Sequence, residues 1–509
     1  MMDSESDAGA VAPGEVPLNA AGAGVAGDVG AGDVGAGDVG AGAGDQGNVN
    51  QKNSDQPVQS DQPVQKVLVQ EVSAARILGL ALPALGVLII TPLFLLLDTA
   101  VVGRYGGKVL LAALATGTTL YAQVTTQLTF LSYGTTIRSS HQYGAGDTRG
   151  AISEGVQATW MAVVVGAVLT LIMWVGAPQF TLWLSQDPMV AQLATQWLRI
   201  TSFAIPLVLI DMAGNGWLRG IQNTRLPLVF TLSGLVPGAI LIPVLVLRLG
   251  IVGSAWATLV GTAITATLFL GALVRARTAH SGDWRPNPIM MKQQIVLGRD
   301  LILRSLAFQV AFMSAAAVAG RIGPQALAAH QILLQLWNFL TLVLDSLAIA
   351  AQTLIGAAVG AGSVMAAKQV GQRILAYSTG FALVLAAVFG AGFAVIPRIF
   401  TTDAATLAAL SGPWWQLVAM ILIGGVVFAL DGVLLGAADA SYLRNITICA
   451  VIGGFLPGVA VAWWWHTGLV GVWWGLLGFI MIRLVAVVYR FYSMKWVVNG
   501  IHTGEGSDG

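Results

Sequence analysis

Long apolar runs separated by short polar breaks fill the chain from residue 74 onward. Each run reaches the roughly 20 residues that a helix needs to cross a bilayer, and none shows the period-2 alternation of a membrane-spanning strand. The pattern therefore predicts an all-α integral membrane protein with twelve transmembrane helices, numbered here as spans 1 to 12. They are centred on 77–102, 110–136, 152–176, 190–213, 226–247, 251–274, 296–319, 327–358, 371–395, 407–436, 444–465 and 468–493.

The two halves of this apolar region repeat one another. Because each half holds six spans, both halves start on the same side of the membrane and are related by an axis along its normal. Parallel six-helix repeats are a transporter architecture, in which the substrate path lies between the bundles. A channel or a membrane enzyme is an open alternative, but neither needs the duplication. Four glycine-containing motifs recur in order at offsets of 216 to 218 residues: 102–106 as 319–323, 143–147 as 359–363, 218–222 as 434–438, and 250–253 as 468–471.

The same pattern divides the chain into five segments. Residues 1–73 form an acidic tail rich in Gly, Ala and Asp, in which the pentapeptide AGDVG occurs three times in tandem. Such a composition buries too little apolar surface to offset chain entropy, so the tail is predicted to be disordered. The remaining segments are a six-helix bundle at 74–280, a cytoplasmic linker at 281–295, a second six-helix bundle at 296–495 and a short tail at 496–509.

Composition and charge support a membrane location and predict an orientation. Hydrophobic residues make up 56% of the chain and charged residues 10%, whereas soluble domains carry about 25% charge. Residues 1–75 hold 11 of the 24 acids and only two of the 25 Lys and Arg, so a tail of about −9 precedes a body of about +10. With a cytoplasmic amino terminus, sixteen Lys and Arg lie in inside segments and five in outside ones. The positive-inside rule therefore predicts a multi-pass protein of the cytoplasmic membrane with both termini inside.

Four carboxyl groups fall inside the predicted spans. A charge there is costly and normally faces a cavity or a partner, and removal from water favours the protonated form of a carboxyl group. Each is therefore a candidate for binding a coupling proton or cation, and the alternative is a hydrogen-bonded carboxyl that fixes helix packing. The four are Asp98 in span 1, Asp211 in span 4, Asp345 in span 8 and Asp431 in span 10, whereas Glu154 and Asp439 lie nearer span ends and are expected to be structural or interfacial.

Span 1 also carries two prolines, Pro83 and Pro92, ahead of Asp98. A proline removes a backbone hydrogen bond and bends a helix. A protonatable group on a helix that can bend is suited to coupling ion binding to a conformational change. We therefore predict that Pro83 and Pro92 are bending points.

Other polar residues within the spans have two interpretations each. Three arginines, Arg199, Arg304 and Arg483, are candidates to neutralise the acids, and the sequence leaves their pairing open. The amide side chains either line a cavity or form hydrogen bonds between helices. The cavity candidates are Gln123, Gln127, Gln309, Gln335 and Asn338.

The chain offers little for other chemistry. Cys449 is the only cysteine and the five histidines are scattered, so we expect no metal site and no cofactor apart from a coupling H⁺ or Na⁺. The expected partners are the lipid bilayer and a small organic substrate, with no nucleic acid, and a monomer is expected to be functional.

Several short motifs stand out in the spans: Leu82-Pro83-Ala84, Pro92, the segment from Leu97 to Gly103, Leu303-Arg304-Ser305-Leu306, and the segment from Leu344 to Ala350. They resemble the multidrug and toxic compound extrusion (MATE) family, and most closely its branch named for the DNA-damage-inducible protein F. The resemblance covers residues 74 to 495, and the spacing of Pro83, Pro92 and Asp98 is its most specific element. It implies two six-helix bundles around a V-shaped cavity, with alternating access driven by a proton or sodium gradient.

The resemblance also implies roles for particular residues. In related members the span 1 Asp is the protonation or cation-linked site and the span 1 proline is where bending occurs, which points to Asp98 and Pro83. An Asp in span 10 binds cation in another branch, and Asp431 matches it more loosely because span 7 lacks the accompanying Glu. Some relatives place Asn and Asp in span 5, but residues 233–238 here contain no acid. Our hypothesis is that Asp211 supplies the second carboxyl and shares a proton with Asp98.

Together these features predict a cation-coupled antiporter that exports amphipathic drugs or metabolites by alternating access. H⁺ is preferred over Na⁺, because a hard cation needs several oxygen ligands together and Asp98 lacks the full acidic set. A lipid-linked precursor flippase of the same superfamily is the first alternative, although Arg199, Arg304 and Arg483 are few and dispersed for binding pyrophosphate. An integral-membrane enzyme is the second. The sequence does not identify the substrate.

Overall fold

The structure is a computed structural model that describes residues 73–280 and 284–497. Within these ranges the chain is helical almost throughout and contains no strand. The predicted disordered tail, apart from Ser73, lies outside the described residues, as does the predicted carboxy-terminal tail beyond residue 497. The all-helical class predicted from the apolar runs is confirmed.

The described residues contain ten helices that are long and apolar enough to cross a membrane, and the bent pair of span 4 makes an eleventh. Division of the first helical stretch into two gives the twelve predicted spans. The first helical stretch has 71 residues and would be about 105 Å long, more than three times the apolar thickness of a bilayer. Gly107, with φ 70° and ψ −172°, breaks it into spans 1 and 2, and span 4 bends by 46° between its two helices. The spans are Ala74–Gly144 (spans 1 and 2), Thr148–Ser185, Pro188–Thr201 with Ala204–Gly220, Arg225–Leu249, Ile251–Ala279, Pro288–Ile322, Pro324–Gly360, Val364–Ala394, Ala404–Gly436, Ala440–Trp464 and Gly468–Tyr492.

The starts of several spans are fixed by local sequence. Asp147, Asp187, Asn287, Ser363 and Asp403 each accept a hydrogen bond from a backbone N–H in the first turn of the helix that follows. These residue types are preferred caps because a helix leaves its first N–H groups without partners. A proline follows two of the caps at the first helical position, where its missing N–H costs nothing.

The internal repeat is visible in the backbone of the turns. Left-handed residues occur in pairs 216 to 218 positions apart, and the members of each pair have similar φ angles. The pairs are Gly146 and Gly362 (φ 80° and 70°), Gln222 and Ala438 (both 62°), and Gly250 and Gly468 (61° and 65°). The two halves therefore turn the chain in the same way at equivalent places, which confirms two pseudo-symmetric six-helix bundles.

Close glycine packing also repeats between the bundles. A Cβ atom on Gly216 of span 4 would overlap the carbonyl oxygen of Ser132 in span 2. A Cβ atom on Gly432 of span 10 would overlap the carbonyl oxygen of Ala348 in span 8. Both members of the second pair lie 216 residues after their counterparts in the first. Small residues of this kind let helix backbones approach each other in a membrane, where lipid removes the hydrophobic drive for helix association.

Candidate functional site

The two bundles meet along spans 2 and 8. A Cβ on Gly144 would overlap the carbonyl oxygen of Ala357, and a Cβ on Gly360 would overlap that of His141. Gly360 and Ala357 lie 216 residues after Gly144 and His141, so equivalent residues of the two halves make equivalent contacts across the interface. His141 Nε2 also donates to the carbonyl oxygen of Gly436 at 2.6 Å. The bundles are thus tightly closed at the ends of spans 2 and 8 that precede the turns at 145–147 and 361–363.

Two neighbouring cavities lie on the other side of this contact. The first, of about 190 Å³, is bounded by both bundles, since Tyr133 of span 2 faces Arg304 and Asp345 across it. The second, of about 280 Å³, lies within the carboxy-terminal bundle. Arg304, Phe308, Asp345 and Phe428 line both. The candidate acids of spans 8 and 10 are therefore close to an open volume rather than packed within a solid core.

Asp431 is paired with two of the three intramembrane arginines. Its Oδ2 atom accepts two hydrogen bonds, one from Arg304 at 2.6 Å and one from Arg483. A carboxylate that already has two guanidinium partners has little to gain from binding a further cation. Arg199 lies elsewhere, with its guanidinium 5.1 Å from the centre of the Trp174 ring.

Asp345 makes a hydrogen bond that joins the two bundles. Its Oδ2 accepts from the hydroxyl group of Tyr133 at 2.7 Å. Gln352, two turns further along span 8, donates to the backbone carbonyl oxygen of the same tyrosine at 2.9 Å. Tyr133 thus binds span 8 through both its side chain and its backbone, and one of these bonds depends on a carboxyl group.

Asp98 lies in the amino-terminal bundle and is only 2% exposed. Its Oδ2 accepts a hydrogen bond at 2.8 Å from Ser254 of span 6, and that hydroxyl oxygen accepts from Trp197 Nε1 of span 4 at 3.2 Å. Its Oδ1 is buried and has no hydrogen-bond partner. Among the residues that the structure describes, no Lys or Arg forms an ion pair with it. Asp98 is therefore a buried acid with one free oxygen and no fixed counter-charge.

Asp211 does not bond with Asp98. The helix that holds it, Ala204–Gly220, packs mainly against Phe130–Gly144, Thr148–Ser185 and Ile251–Ala279. Its Oδ1 is buried without a hydrogen-bond partner, and the hydroxyl group of Tyr121, within electrostatic range, has none either. A shared proton between Asp98 and Asp211 stays a prediction, and in this conformation no hydrogen bond links the two carboxyl groups.

Three of the five amide candidates bond with one another across the bundles. Gln309 of span 7 donates to Gln123 of span 2 and accepts from Gln127 at 3.2 Å. These bonds support the interpretation as hydrogen bonds between helices, and none of the three residues lines either cavity. Asn338 lines the larger cavity, and Gln335 is exposed one turn away on the same face of span 8.

Pro83 and Pro92 both lie inside continuous helix. The break in this stretch falls at Gly107, which has a left-handed φ that favours glycine. The predicted bending at the two prolines therefore remains a prediction about motion.

Three residues of these networks escaped the sequence analysis, namely Ser254, Trp197 and Tyr133. A serine, a tryptophan and a tyrosine are common in membrane helices, so nothing in their own neighbourhoods marks them. Within the described parts of the chain, no group of three His, Cys, Asp or Glu side chains is placed to hold a metal ion.

Glu154 has a structural role that can be tested. It is 1% exposed and accepts two hydrogen bonds from Arg138, at 2.7 and 2.6 Å. We expect Glu154→Gln to lower the free energy of unfolding by about 3 kcal/mol, because it leaves a guanidinium largely buried and without its counter-charge. Chemical denaturation in lipid or detergent measures this. Arg299→Gln is the matched control, since Arg299 is 59% exposed in its ion pair with Asp300 and should change stability by less than about 1 kcal/mol. Equal losses for the two variants would contradict the assignment.

Two pseudo-symmetric six-helix bundles, joined by hydrogen bonds of Asp345 and of three amide side chains, define a membrane transporter with a duplicated architecture. The family model of MatE matches residues 83–244 and 301–459, one segment in each bundle. The chain belongs to this family and is a multi-pass membrane efflux transporter, not an enzyme. The family assignment favours efflux over the flippase alternative.

Relatives of known name cover most of the chain. It is 28% identical over 452 residues to Protein DETOXIFICATION 44, chloroplastic, of Arabidopsis thaliana, covering 82% of this chain and 84% of the relative. It is 29% identical over 437 residues to the DNA damage-inducible protein F of Escherichia coli, covering 81% and 91%. A probable multidrug resistance protein NorM of Rhizobium meliloti is 30% identical over 362 residues, covering 66% and 75%.

Solved structures share the fold at low sequence identity. A MATE protein in a bent conformation matches with a TM-score of 0.77 and 18% identity, covering 87% of this chain and 99% of that one. An outward-facing MATE transporter matches with a TM-score of 0.76 and 19% identity, covering 84% and 98%.

Proposed function

We propose that this chain is a proton-coupled antiporter that exports amphipathic organic compounds, with Asp98 as the principal coupling residue. The observation that carries the proposal is the isolation of Asp98, which is buried, has one free oxygen and lacks an arginine partner. Such a group is able to bind a proton or a cationic substrate, and the two would compete for it. Asp431 already has two arginine partners, so we assign it to structure and electrostatics.

The surroundings of Asp98 favour H⁺ over Na⁺. A sodium ion needs several oxygen ligands at once, whereas the only side chain that bonds with Asp98 in the described residues is Ser254. A proton needs a single oxygen, and Oδ1 is available. Asp211 and Asp345 are secondary candidates, because the first forms no hydrogen bond with Asp98 and the second is engaged with Tyr133.

The contact between spans 2 and 8 supports an outward-facing conformation. If the Lys and Arg distribution sets the orientation, the closed ends of these spans face the cytoplasm, as do both termini, and the membrane is the cytoplasmic one. The outer halves of both spans expose a polar face, namely Thr119, Gln123 and Thr126 on span 2, and Gln331, Gln335 and Asn338 on span 8. Exposed polar side chains within a span normally face water. We infer that the two faces line the substrate path, and that one chain contains a complete path.

Transport in proteoliposomes tests the proposal. The full chain is reconstituted, loaded with the cationic dye ethidium and given either a pH gradient in sodium-free buffer or a sodium gradient at equal pH. We expect the pH gradient to drive dye movement and the sodium gradient to have no effect. Transport driven by sodium alone would contradict proton coupling, and movement insensitive to both gradients would contradict antiport.

A further inference from the structure

The cavity in the carboxy-terminal bundle has a basic wall. Arg304 and Arg483 both bond with a single oxygen of Asp431, and both line the larger cavity. The Arg304 side chain retains 15% exposure, and the Nε atoms of both arginines are buried without partners. Two guanidinium groups therefore share one carboxylate, and the Nε–H donors of both arginines have no acceptor.

A third guanidinium lies near Asp345, which lines this cavity. Arg219 of span 4 is only 5% exposed, its Nε atom is buried without a hydrogen-bond partner, and its side chain forms no hydrogen bond or salt bridge within residues 73–280 and 284–497. It lies within electrostatic range of Tyr133 and Asp345. Arginine stays charged in proteins, and an uncompensated charge within the membrane is costly. Asp345 and Asp431 therefore lie within electrostatic range of three arginines, of which Arg304 and Arg483 line the cavity.

The remaining wall of the cavity is aromatic. The guanidinium of Arg483 lies 4.7 Å from the centre of the Phe308 ring, and that of Arg304 lies 5.7 Å from it. Apolar walls with a few convergent polar groups are typical of sites for small organic ligands. The other aromatic residues of the wall are Phe312, Trp337, Phe428 and Phe479.

We propose that this cavity binds the carboxylate group of an amphipathic aromatic anion, with Arg304 and Arg483 as its charge partners and Asp431 as an internal competitor for them. Arginine is suited to this because its planar fork matches a carboxylate. The inference rests on the proposed function, since it names a substrate class for the same transporter. It adds a basic site in the carboxy-terminal bundle to the acidic one at Asp98.

Calorimetry with a matched pair of probes tests the inference. The full chain in lipid nanodiscs is titrated with 1-naphthylacetate, an aromatic carboxylate, and with 1-naphthylacetamide, its neutral isostere. We expect the carboxylate to bind at least about tenfold more tightly, as a charge-assisted hydrogen bond predicts. Equal binding of the two probes by the wild-type protein would overturn the inference without any variant.

Two substitutions within one ion pair then have opposite expected effects. Arg304→Gln should abolish the preference for the carboxylate, whereas Asp431→Asn should raise its affinity by about tenfold, because the internal competitor is gone. Arg304→Lys keeps the charge and should keep part of the preference. If the ion pair served structure alone, Arg304→Gln and Asp431→Asn would weaken binding alike, and that result would refute the competitor role. Thermal melting of each variant identifies any loss of folding.

The outcome is separable from that of the proposed function. Ethidium transport is measured on the same preparations with an imposed pH gradient. Protein that moves ethidium but binds both naphthyl probes equally would refute the basic site and leave proton coupling intact. Protein that selects the carboxylate but does not respond to a pH gradient would support the basic site and refute the coupling.

Discussion

Replacing Asp98 with asparagine is expected to reduce ethidium transport driven by a pH gradient to the level of protein-free liposomes. Asparagine has nearly the same shape and can still accept the hydrogen bond that Ser254 donates, but it cannot take up or release a proton. The gradient shifts a conformational equilibrium only if the coupling ion has different affinities for the two states. Without a titrating group at this position, proton binding no longer favours one conformation over the other, so the pH gradient cannot drive transport.

Asp187→Asn is the matched control. Asp187 is exposed in the turn before span 4 and caps the following helix, a role that asparagine performs equally well. We expect this variant to transport at the wild-type rate. If Asp98→Asn retained gradient-driven transport, the coupling role of Asp98 would be wrong. If both variants lost transport, the loss at Asp98 would not be specific.

A methyl group added at the contact between the bundles is expected to shift the conformational equilibrium away from the closed state there. Gly144→Ala and Gly360→Ala would each place a Cβ against a backbone carbonyl oxygen of the facing helix, which cannot move aside as a side chain can. Overpacking costs about 1–3 kcal/mol, which would reduce the population of the closed state by about 5- to 150-fold. Spin labels in the turns at 145–147 and 361–363 measure this as a longer distance, and transport should fall with it.

Gly271→Ala and Gly380→Ala are controls for this prediction. Both glycines lie within spans, and a Cβ at either would meet no atom within 4 Å. We expect wild-type distances and transport for both. The interpretation of the contact would fail if Gly144→Ala and Gly360→Ala left the label distance unchanged.

Much of the fold was predictable because hydrophobicity dominates in lipid. The twelve spans follow from apolar runs, and the repeat follows from glycines such as Gly146 and Gly362, whose left-handed backbone is required at equivalent turns. Spans 1 and 2 form one helical stretch that is broken at Gly107. The short polar break in the sequence predicted this boundary.

The pairing of side chains was not predictable, because it depends on which helix faces meet. Asp431 bonds with arginines from spans 7 and 12, more than 50 positions away in either direction. Ser254 meets Asp98 from span 6, and no local pattern marks that serine among the other hydroxyl groups of its helix. Asp98 itself was identifiable as a candidate, since a carboxyl in an apolar run is conspicuous. Its lack of an arginine partner became evident only in the packed bundle.

The most direct test of the account is the number of protons released when ethidium binds. Purified protein in weak buffer at mildly acidic pH is mixed with the dye, and proton release and dye binding are followed together. If substrate and proton compete at Asp98, the wild-type protein releases protons as it binds, and Asp98→Asn binds the dye without releasing any. Binding by the wild-type protein without proton release, or equal release by Asp98→Asn, would contradict the account.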